Sequence, residues 1–234
     1  MGSEGKHGQN CERDLHRRAE ALLHLPFKPD PVPVAAWDRK TGVMKMKTAA
    51  AINPHDLFGA LHPRQRAFTH IFGTRESWAE YWGCVQNEPW FIAHPAREHI
   101  LREPWCHCPY LVFGDDAQTS KRVGNNVKIL VWYSTMSIER KTELRLLPIY
   151  MTPTTEKHRA AVERRLSQQA VWSFTAASRN IHPSSPAAED EGPLSKRRLA
   201  KSGKPICGGD IPTYLTFSGA AGDWKWQKEE CPLE

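Results

Sequence analysis

The chain has 234 residues, of which 40% are hydrophobic and nine are tryptophans, enough for a folded core. Its formal net charge of +6 and isoelectric point near 9.0 favour polyanionic partners only mildly. No apolar run approaches the roughly 20 residues that span a bilayer, and the first residues lack the apolar segment of a secretory signal. Six irregularly spaced cysteines then indicate reduced thiols. We therefore expect a soluble, intracellular protein without a membrane partner.

Residues 1–49 are predicted to form a charged and proline-rich N-terminal segment. Four prolines between Pro26 and Pro33 exclude a helix at that point, because proline lacks the amide proton that a helix interior needs. The same prolines favour an extended linker.

Residues 50–104 carry the signals of a small helical region. Asn53 followed by Pro54 is typical of an N-cap and a first helical position. A second helix is predicted to begin after Thr74 as N-cap. Its helical spacing puts four apolar or aromatic side chains on one face: Trp78, Tyr81, Trp82 and Val85. This pattern predicts a packed aromatic core.

After Pro104 the pattern changes to that of β-strands. Three strands are predicted. Pro148 restricts the third to an edge or bulged strand, because proline lacks an amide proton for the ladder. A long helix follows, with Thr154 or Thr155 as N-cap, then a fourth strand and the start of a helix at Gly222–Asp223. The predicted strands cover residues 109–115, 125–137, 141–152 and 211–218, and the helix lies within the stretch 152–178, after its N-cap.

Residues 105–234 therefore run strand, strand, strand, helix, strand, helix. Three meandering strands followed by a helix and another strand are the order of an RNase H-like core. We predict an α+β fold with an RNase H-like mixed sheet, preceded by the helical region and incomplete at its C-terminus. Composition alone does not choose this fold over other α+β arrangements. Residues 179–205, rich in proline, serine and charge, are predicted as a loop or disordered insertion.

Two aspartates occupy the places where an RNase H-like arrangement carries metal ligands. Asp115 lies at the first strand, with Asp116 beside it, and Asp223 follows the fourth. Two-metal phosphoryl transfer needs carboxylates that converge on Mg²⁺ or Mn²⁺. The positions therefore predict a metal site of Asp115, Asp116 and Asp223, with Asp115 and Asp223 as the catalytic pair. The alternative is that these aspartates only form turns.

Four stretches resemble transposase-like proteins encoded by transposon-derived repeats in some protist genomes. The resemblance covers about residues 50 to 234 and implies metal-dependent DNA strand cleavage and transfer. It matches Asp115 to the first acid, in a stretch that usually reads His-Gly-Asp-Gly, and Asp223 to the second. The four stretches are "NPHDLFGALH", "RESWAEYWGCVQNEPWFIAHP", "VFGDDAQTSKR" leading into "VKILVWYSTMS", and "GKPICGGDIPTYLTFSGAAGDWKWQKEECPL".

The chain departs from that family at several positions. Phe113 stands where histidine is usual, Asp116 replaces a glycine, and the final "CPLE" lacks a second cysteine. No third acid follows at a suitable distance, because Glu229 and Glu230 lie only six and seven residues after Asp223. We therefore expect a fragment or decayed copy with an incomplete catalytic site. A non-catalytic nucleic-acid-binding or scaffold remnant, and an unrelated α+β protein, stay open as alternatives.

Basic residues supply the predicted DNA contacts, since lysine and arginine neutralise backbone phosphates. The cluster in "SKRRLAKSGK" could equally direct nuclear import or form a solvated loop. The predicted nucleic-acid-binding residues are Lys121, Arg122, Lys196, Arg197, Arg198, Lys201 and Lys204. The sequence gives no prediction for the oligomeric state.

Cys106-His107-Cys108 is a candidate zinc-binding triplet, which Cys84, Cys207 or Cys231 could complete. Structural zinc sites usually show two separate pairs of ligands, so this tight triplet is not diagnostic. We expect ordinary buried thiols and no zinc at these cysteines. A cysteine–histidine nucleophile is also not expected, because no oxyanion motif accompanies the pair.

Overall fold

The computed structural model describes residues 29–38, 40–118, 126–138, 145–153, 159–188 and 194–222. It begins with an antiparallel hairpin of β1 (Asp30–Asp38) and β2 (Val43–Ala51). Pro31 and Pro33 are tolerated in β1 because this strand has only one paired edge. Alternate side chains of β1, at Val32, Val34 and Ala36, are buried in the core.

Short helices occupy most of residues 54–102, as the capping signals predict. Asn53 is the N-cap of the first, although its side chain makes no capping hydrogen bond. Thr74 forms a reciprocal capping box with Ser77. The helices are α1 (Pro54–Leu61), α2 (Gln65–Phe72), α3 (Arg75–Val85), α4 (Pro89–Ile92) and α5 (Arg97–Arg102), followed by a 3₁₀ turn at Pro104–Cys106.

The predicted aromatic face of α3 packs as expected. Trp78 and Trp82 are fully buried, and Tyr81 and Val85 pack against the core beside them. The indoles of these two tryptophans each donate to a backbone carbonyl, which offsets the cost of burying them. Trp78 donates to the carbonyl of Phe72 at 2.6 Å, and Trp82 donates to the carbonyl of His107 at 2.7 Å. The second bond ties the helical region to the first strand of the main sheet.

The main sheet has four strands in the order β5-β4-β3-β6, and the predicted α+β fold is confirmed. The pairs β3–β4 and β4–β5 are antiparallel, whereas β3 and β6 are parallel neighbours. A parallel neighbour needs a crossover, and the long helix α6 lies in the connection from β5 to β6. The bounds are β3 (His107–Gln118), β4 (Asn126–Ser134), β5 (Leu147–Pro153), α6 (Arg159–Arg179) and β6 (Tyr214–Gly222).

Helix α6 covers one face of the sheet through its apolar stripe. Val162, Leu166 and Ala170 are buried at helical spacing, whereas Ala160 is exposed. Phe174 stacks on Tyr110 of β3 with ring centroids 4.5 Å apart. The predicted N-cap, Thr154 or Thr155, lies outside the described residues.

The behaviour of Pro148 agrees with its sequence signal. Strand β5 is an edge strand, and its register with β4 shifts between Pro148 and Tyr150. Because Pro148 lies at a bulge in an edge strand, its missing amide proton removes no hydrogen bond from the centre of the sheet.

Strand β6 differs from the prediction of 211–218. It begins at Tyr214 and continues through a Gly-Ala run to Gly222, a composition that by itself disfavours a strand. Pairing with β3 holds this run extended. The register shifts between Tyr110 and Leu111, and there a Cβ at Gly219 would lie 2.9 Å from Leu111 Cδ2. Gly219 also has φ +156°, which other residues rarely adopt, so glycine is favoured at 219.

In its described parts, 179–188 and 194–205, the predicted loop or disordered insertion is a loop with defined contacts. Ile181 forms a β-bridge with Pro205, and His182 donates its amide to the carbonyl of Lys204. A short helix, α7 (Lys196–Leu199), lies between these contacts. These described parts have defined contacts with the rest of the fold because Asn180 and Arg198 bond to residues far away in sequence.

Candidate functional site

The first predicted acid, Asp115, lies on β3 opposite Ile129 of β4 and is half-buried. The residue before it, Gly114, pairs with Gly222 of the parallel strand β6. Asp223 comes directly after Gly222 in the chain and lies outside the described residues. Asp115 and Asp223 therefore each come directly after one of two glycines that are paired between β3 and β6.

Asp115 belongs to the more open face of the sheet. Side chains alternate between faces along a strand, so Asp115 shares its face with Phe113 and Leu111, both only half-buried. The opposite face carries Tyr110, which is buried against α6. Asp115 is thus on a surface that solvent and ions can reach.

The other predicted site residues divide into two groups. Asp116 has its backbone in β3 opposite Lys128, whereas Lys121 and Arg122 lie outside the described residues. The basic residues after 195 lie on and just beyond α7. Four of them are exposed: Lys196, Arg197, Lys201 and Lys204.

Arg198 is the exception in this basic segment. Its side chain is 18% exposed and donates to the Asp56 carboxylate at 2.8 Å and to the Asp30 carboxylate. Its Nη1 lies 3.2 Å from His55 Nε2, and its guanidinium lies 5.3 Å from the ring centre of Trp172. The charge of Arg198 is therefore engaged inside the protein.

His55 is fully buried at the centre of these contacts. Its Nδ1 lies 2.7 Å from Ser173 Oγ on α6, while Nε2 faces Arg198, which can only donate. His55 Nε2 is therefore the acceptor, and Nδ1 carries the proton that is donated to Ser173. Burial lowers the pKa of His55 to about 4, so the ring is neutral at neutral pH.

The start of α1 positions this group. Asn53 as N-cap and Pro54 set the helix so that His55 and Asp56 stand in its first turn, where the helix dipole favours an acid. The backbone amide of His55, which has no partner within the helix, donates to Ser173 Oγ at 3.0 Å. The Asn53 side chain donates to Asp30 and accepts from Gln169. The cap residue thus makes tertiary contacts instead of a capping bond.

The charge on Asp56 follows from opposing effects. Burial raises the pKa of this carboxyl, but His55 and Arg198 beside it bring the pKa below its usual value. Asp56 is therefore ionised at neutral pH. His182 completes the group: the ligating atoms of His55, Asp56 and His182 all lie within 4.8 Å of one another.

Sequence reasoning missed this cluster because its members come from distant parts of the chain. His55 and Asp56 stand in the quoted "NPHDLFGALH", but nothing in the sequence links that stretch to His182 or Arg198. The cluster borders a cavity of about 160 Å³ lined by Asp56, His182 and Lys201.

The cysteine triplet is not gathered into a metal site within the described part of the chain, where His55, Asp56 and His182 form the one group with metal-ligand spacing. The ring nitrogens of His107 face His99 and Thr216. Cys106, Cys108 and Cys207 are buried, and burial raises the pKa of the Cys207 thiol to about 12. Such thiols are poor nucleophiles.

Comparison of the chain with protein-family models, with curated proteins and with solved structures finds no match. Over the ranges that the structure covers, no helix is long and apolar enough to cross a bilayer. The geometry of the chain itself is therefore what bears on its function.

Proposed function

We propose that residues 105–234 form an RNase H-like core related to transposases, in which Asp115 and Asp223 hold Mg²⁺ or Mn²⁺ for DNA strand cleavage and transfer. The strand order supports this fold. An antiparallel meander of β5, β4 and β3 is extended by β6, which lies parallel to the first strand of the meander after a crossover that contains α6.

The pairing of Gly114 with Gly222 is the observation that carries the proposal. In the sequence, Asp115 and Asp223 come directly after these two paired glycines. Two carboxylates that meet there can share divalent cations, which take hard oxygen ligands.

The chemistry of such a pair is phosphoryl transfer. Divalent ions between two carboxylates stabilise the attacking and leaving oxygens of a phosphodiester. Asp116 is proposed as an assisting ligand, and the exposed basic residues around α7 as contacts to the DNA backbone. Because Phe113 and Asp116 replace the histidine and the glycine that the family usually carries, we propose that catalysis by this chain is incomplete.

Metal binding and DNA nicking test the proposal separately. Mn²⁺ binding is measured by electron paramagnetic resonance, and cleavage by nicking of supercoiled plasmid with Mg²⁺ or Mn²⁺. Asp115→Asn and Asp223→Asn are each expected to weaken Mn²⁺ binding at least about tenfold and to remove any nicking. Asp210→Asn is the control, because Asp210 is an exposed acid in the loop before β6.

Each result decides between an active transposase-like enzyme, a non-catalytic remnant and an unrelated protein. Equal Mn²⁺ affinity in the wild type and in Asp115→Asn would reject the metal site. DNA binding without Mn²⁺-dependent nicking, in a chain that still binds Mn²⁺ through Asp115, would identify a non-catalytic remnant. Nicking that persists in both variants would assign the activity to other residues or to a contaminant.

A further inference from the structure

We propose that His55, Asp56 and His182 form a binding site for a divalent transition metal ion, best fitted by Zn²⁺, and that Arg198 fills this site when the metal is absent. This site is separate from the Asp115–Asp223 pair. It does not depend on the proposed function.

The donor set is the first support. Two imidazole nitrogens and one carboxylate oxygen suit zinc, which is held by three such ligands with a fourth position open in catalytic sites. His55 Nε2 and Asp56 Oδ1 lie 3.7 Å apart. Ligands about 2.1 Å from zinc in a tetrahedral site are about 3.4 Å apart, so this pair fits with little movement. The ligating atom of His182 lies within 4.8 Å of both.

The support behind His55 is the second argument. A metal-bound histidine usually donates its other ring N–H to a neighbour, which fixes its tautomer and orientation. Ser173 Oγ accepts from Nδ1 of His55 and so aims the Nε2 lone pair at Asp56 and Arg198. This bond is fixed from two sides, because Ser173 also accepts the backbone amide of His55.

The cluster is also open to an incoming ion. The cavity of about 160 Å³ beside Asp56 and His182 offers an access route and room for water on the open position of the ion.

Arg198 explains how the site is closed without metal. Its guanidinium contacts two of the three proposed ligands, His55 and Asp56, and supplies the positive charge that they would otherwise lack. Metal binding must displace it from these two groups, while Asp30 can keep it paired. Lys201 adds a second nearby positive charge. We therefore expect competition between the metal and Arg198, coupled to movement of α7.

The test is a titration of the metal-stripped full chain with Co²⁺, followed by its visible absorption and by displacement with Zn²⁺. The wild type is expected to bind Co²⁺ with a spectrum that lacks a sulfur charge-transfer band. His182→Ala should lower the affinity at least about tenfold. His62→Ala is the control, since His62 is also half-buried and lies outside the cluster. Circular dichroism verifies that each variant is folded.

Arg198→Met tests the competition, because it removes the charge and keeps an unbranched side chain. This variant should bind Co²⁺ several-fold more tightly than the wild type. The metal site is rejected if the wild type binds no Co²⁺, if His182→Ala binds as tightly as His62→Ala, or if the spectrum shows cysteine ligation. Weaker binding by a folded Arg198→Met would overturn the role given to Arg198.

Discussion

Arg198 donates a hydrogen bond to the Asp56 carboxylate at 2.8 Å and thereby joins α7 to the first turn of α1, 142 residues earlier in the chain. Asp30 of β1 accepts from the same guanidinium. One side chain therefore ties the hairpin, the helical region and the 194–205 segment together.

Replacing Arg198 by alanine should lower the free energy of unfolding by about 2 kcal/mol. Breaking a fully buried ion pair costs about 3–5 kcal/mol, and partial exposure of Arg198 and its partners reduces that figure. Lys196→Ala, an exposed position on the same helix, should change stability by less than about 0.5 kcal/mol. Urea unfolding in EDTA measures both. Equal effects of the two variants would show that the contacts of Arg198 contribute no stability.

Gly73→Ala should be strongly destabilising. Gly73 ends α2 with φ +81°, and a Cβ there would lie 2.6 Å from Met136 Cβ and 2.8 Å from its carbonyl oxygen. Backbone strain and overpacking each cost about 1–3 kcal/mol, so we expect the free energy of unfolding to fall by at least about 2 kcal/mol in thermal or urea unfolding.

The matched control for Gly73 is Gly83→Ala, in α3, where a Cβ meets no atom within 4 Å. Alanine is preferred over glycine in a helix by about 0.5–1 kcal/mol, so this variant should be stabilised. A Gly73→Ala protein as stable as the wild type would contradict the packing of α2 against Met136.

Stability should fall with acid because of His107. Burial, and then the charges of His99 and His94, lower the pKa of His107 to about 3 from 6.5. Below pH 6.5, His107 binds a proton in the unfolded chain but stays neutral in the folded chain. The unfolded state is therefore favoured increasingly as the pH falls towards 3. At about 1.4 kcal/mol per pH unit, His107 costs about 2 kcal/mol between pH 7 and 4.5.

His107→Gln isolates this contribution, because glutamine keeps polar contact with Thr216 but does not titrate. Urea unfolding at pH 7 and 4.5 should show a smaller decrease in stability in the variant than in the wild type, by about 2 kcal/mol. Other buried histidines contribute equally to both proteins. The same decrease in both would mean that His107 is not held neutral by the fold.

The exposed lysines near α7 should govern DNA binding, if this surface contacts phosphates. Combined replacement of Lys196, Lys201 and Lys204 by alanine is expected to weaken binding. The slope of log K against log salt should also become shallower, by up to about 0.9 for each phosphate that the variant no longer neutralises. Lys45→Ala is the control, because Lys45 of β2 is already paired with Asp38 of β1. Fluorescence anisotropy at several salt concentrations measures the slope, and an unchanged slope in the triple variant would exclude this surface.

Local chemistry determined much of the fold. Thr74 and Ser77 specify a helix start within four residues, and Pro148 specifies an edge strand by lacking one donor. The apolar stripe of α6 and the strand runs likewise have periods that can be counted in the sequence. The sequence also identified Asp115 as a candidate ligand on β3. That prediction depends only on the order of the strands and helices along the chain.

Only the tertiary structure decided the partners of those elements. The Gly-Ala run to Gly222 has little strand preference and is extended because β3 pairs with it. The sequence around Arg198 is typical of a solvated loop. In the fold, its guanidinium instead contacts Asp30 and Asp56, which are 168 and 142 residues away. Capping, periodicity and turn chemistry act within a few residues, whereas burial and ion pairing depend on which distant segments meet. For that reason the sequence by itself predicted most of the elements after residue 50, whereas only the fold assembled the cluster of His55, Asp56 and His182.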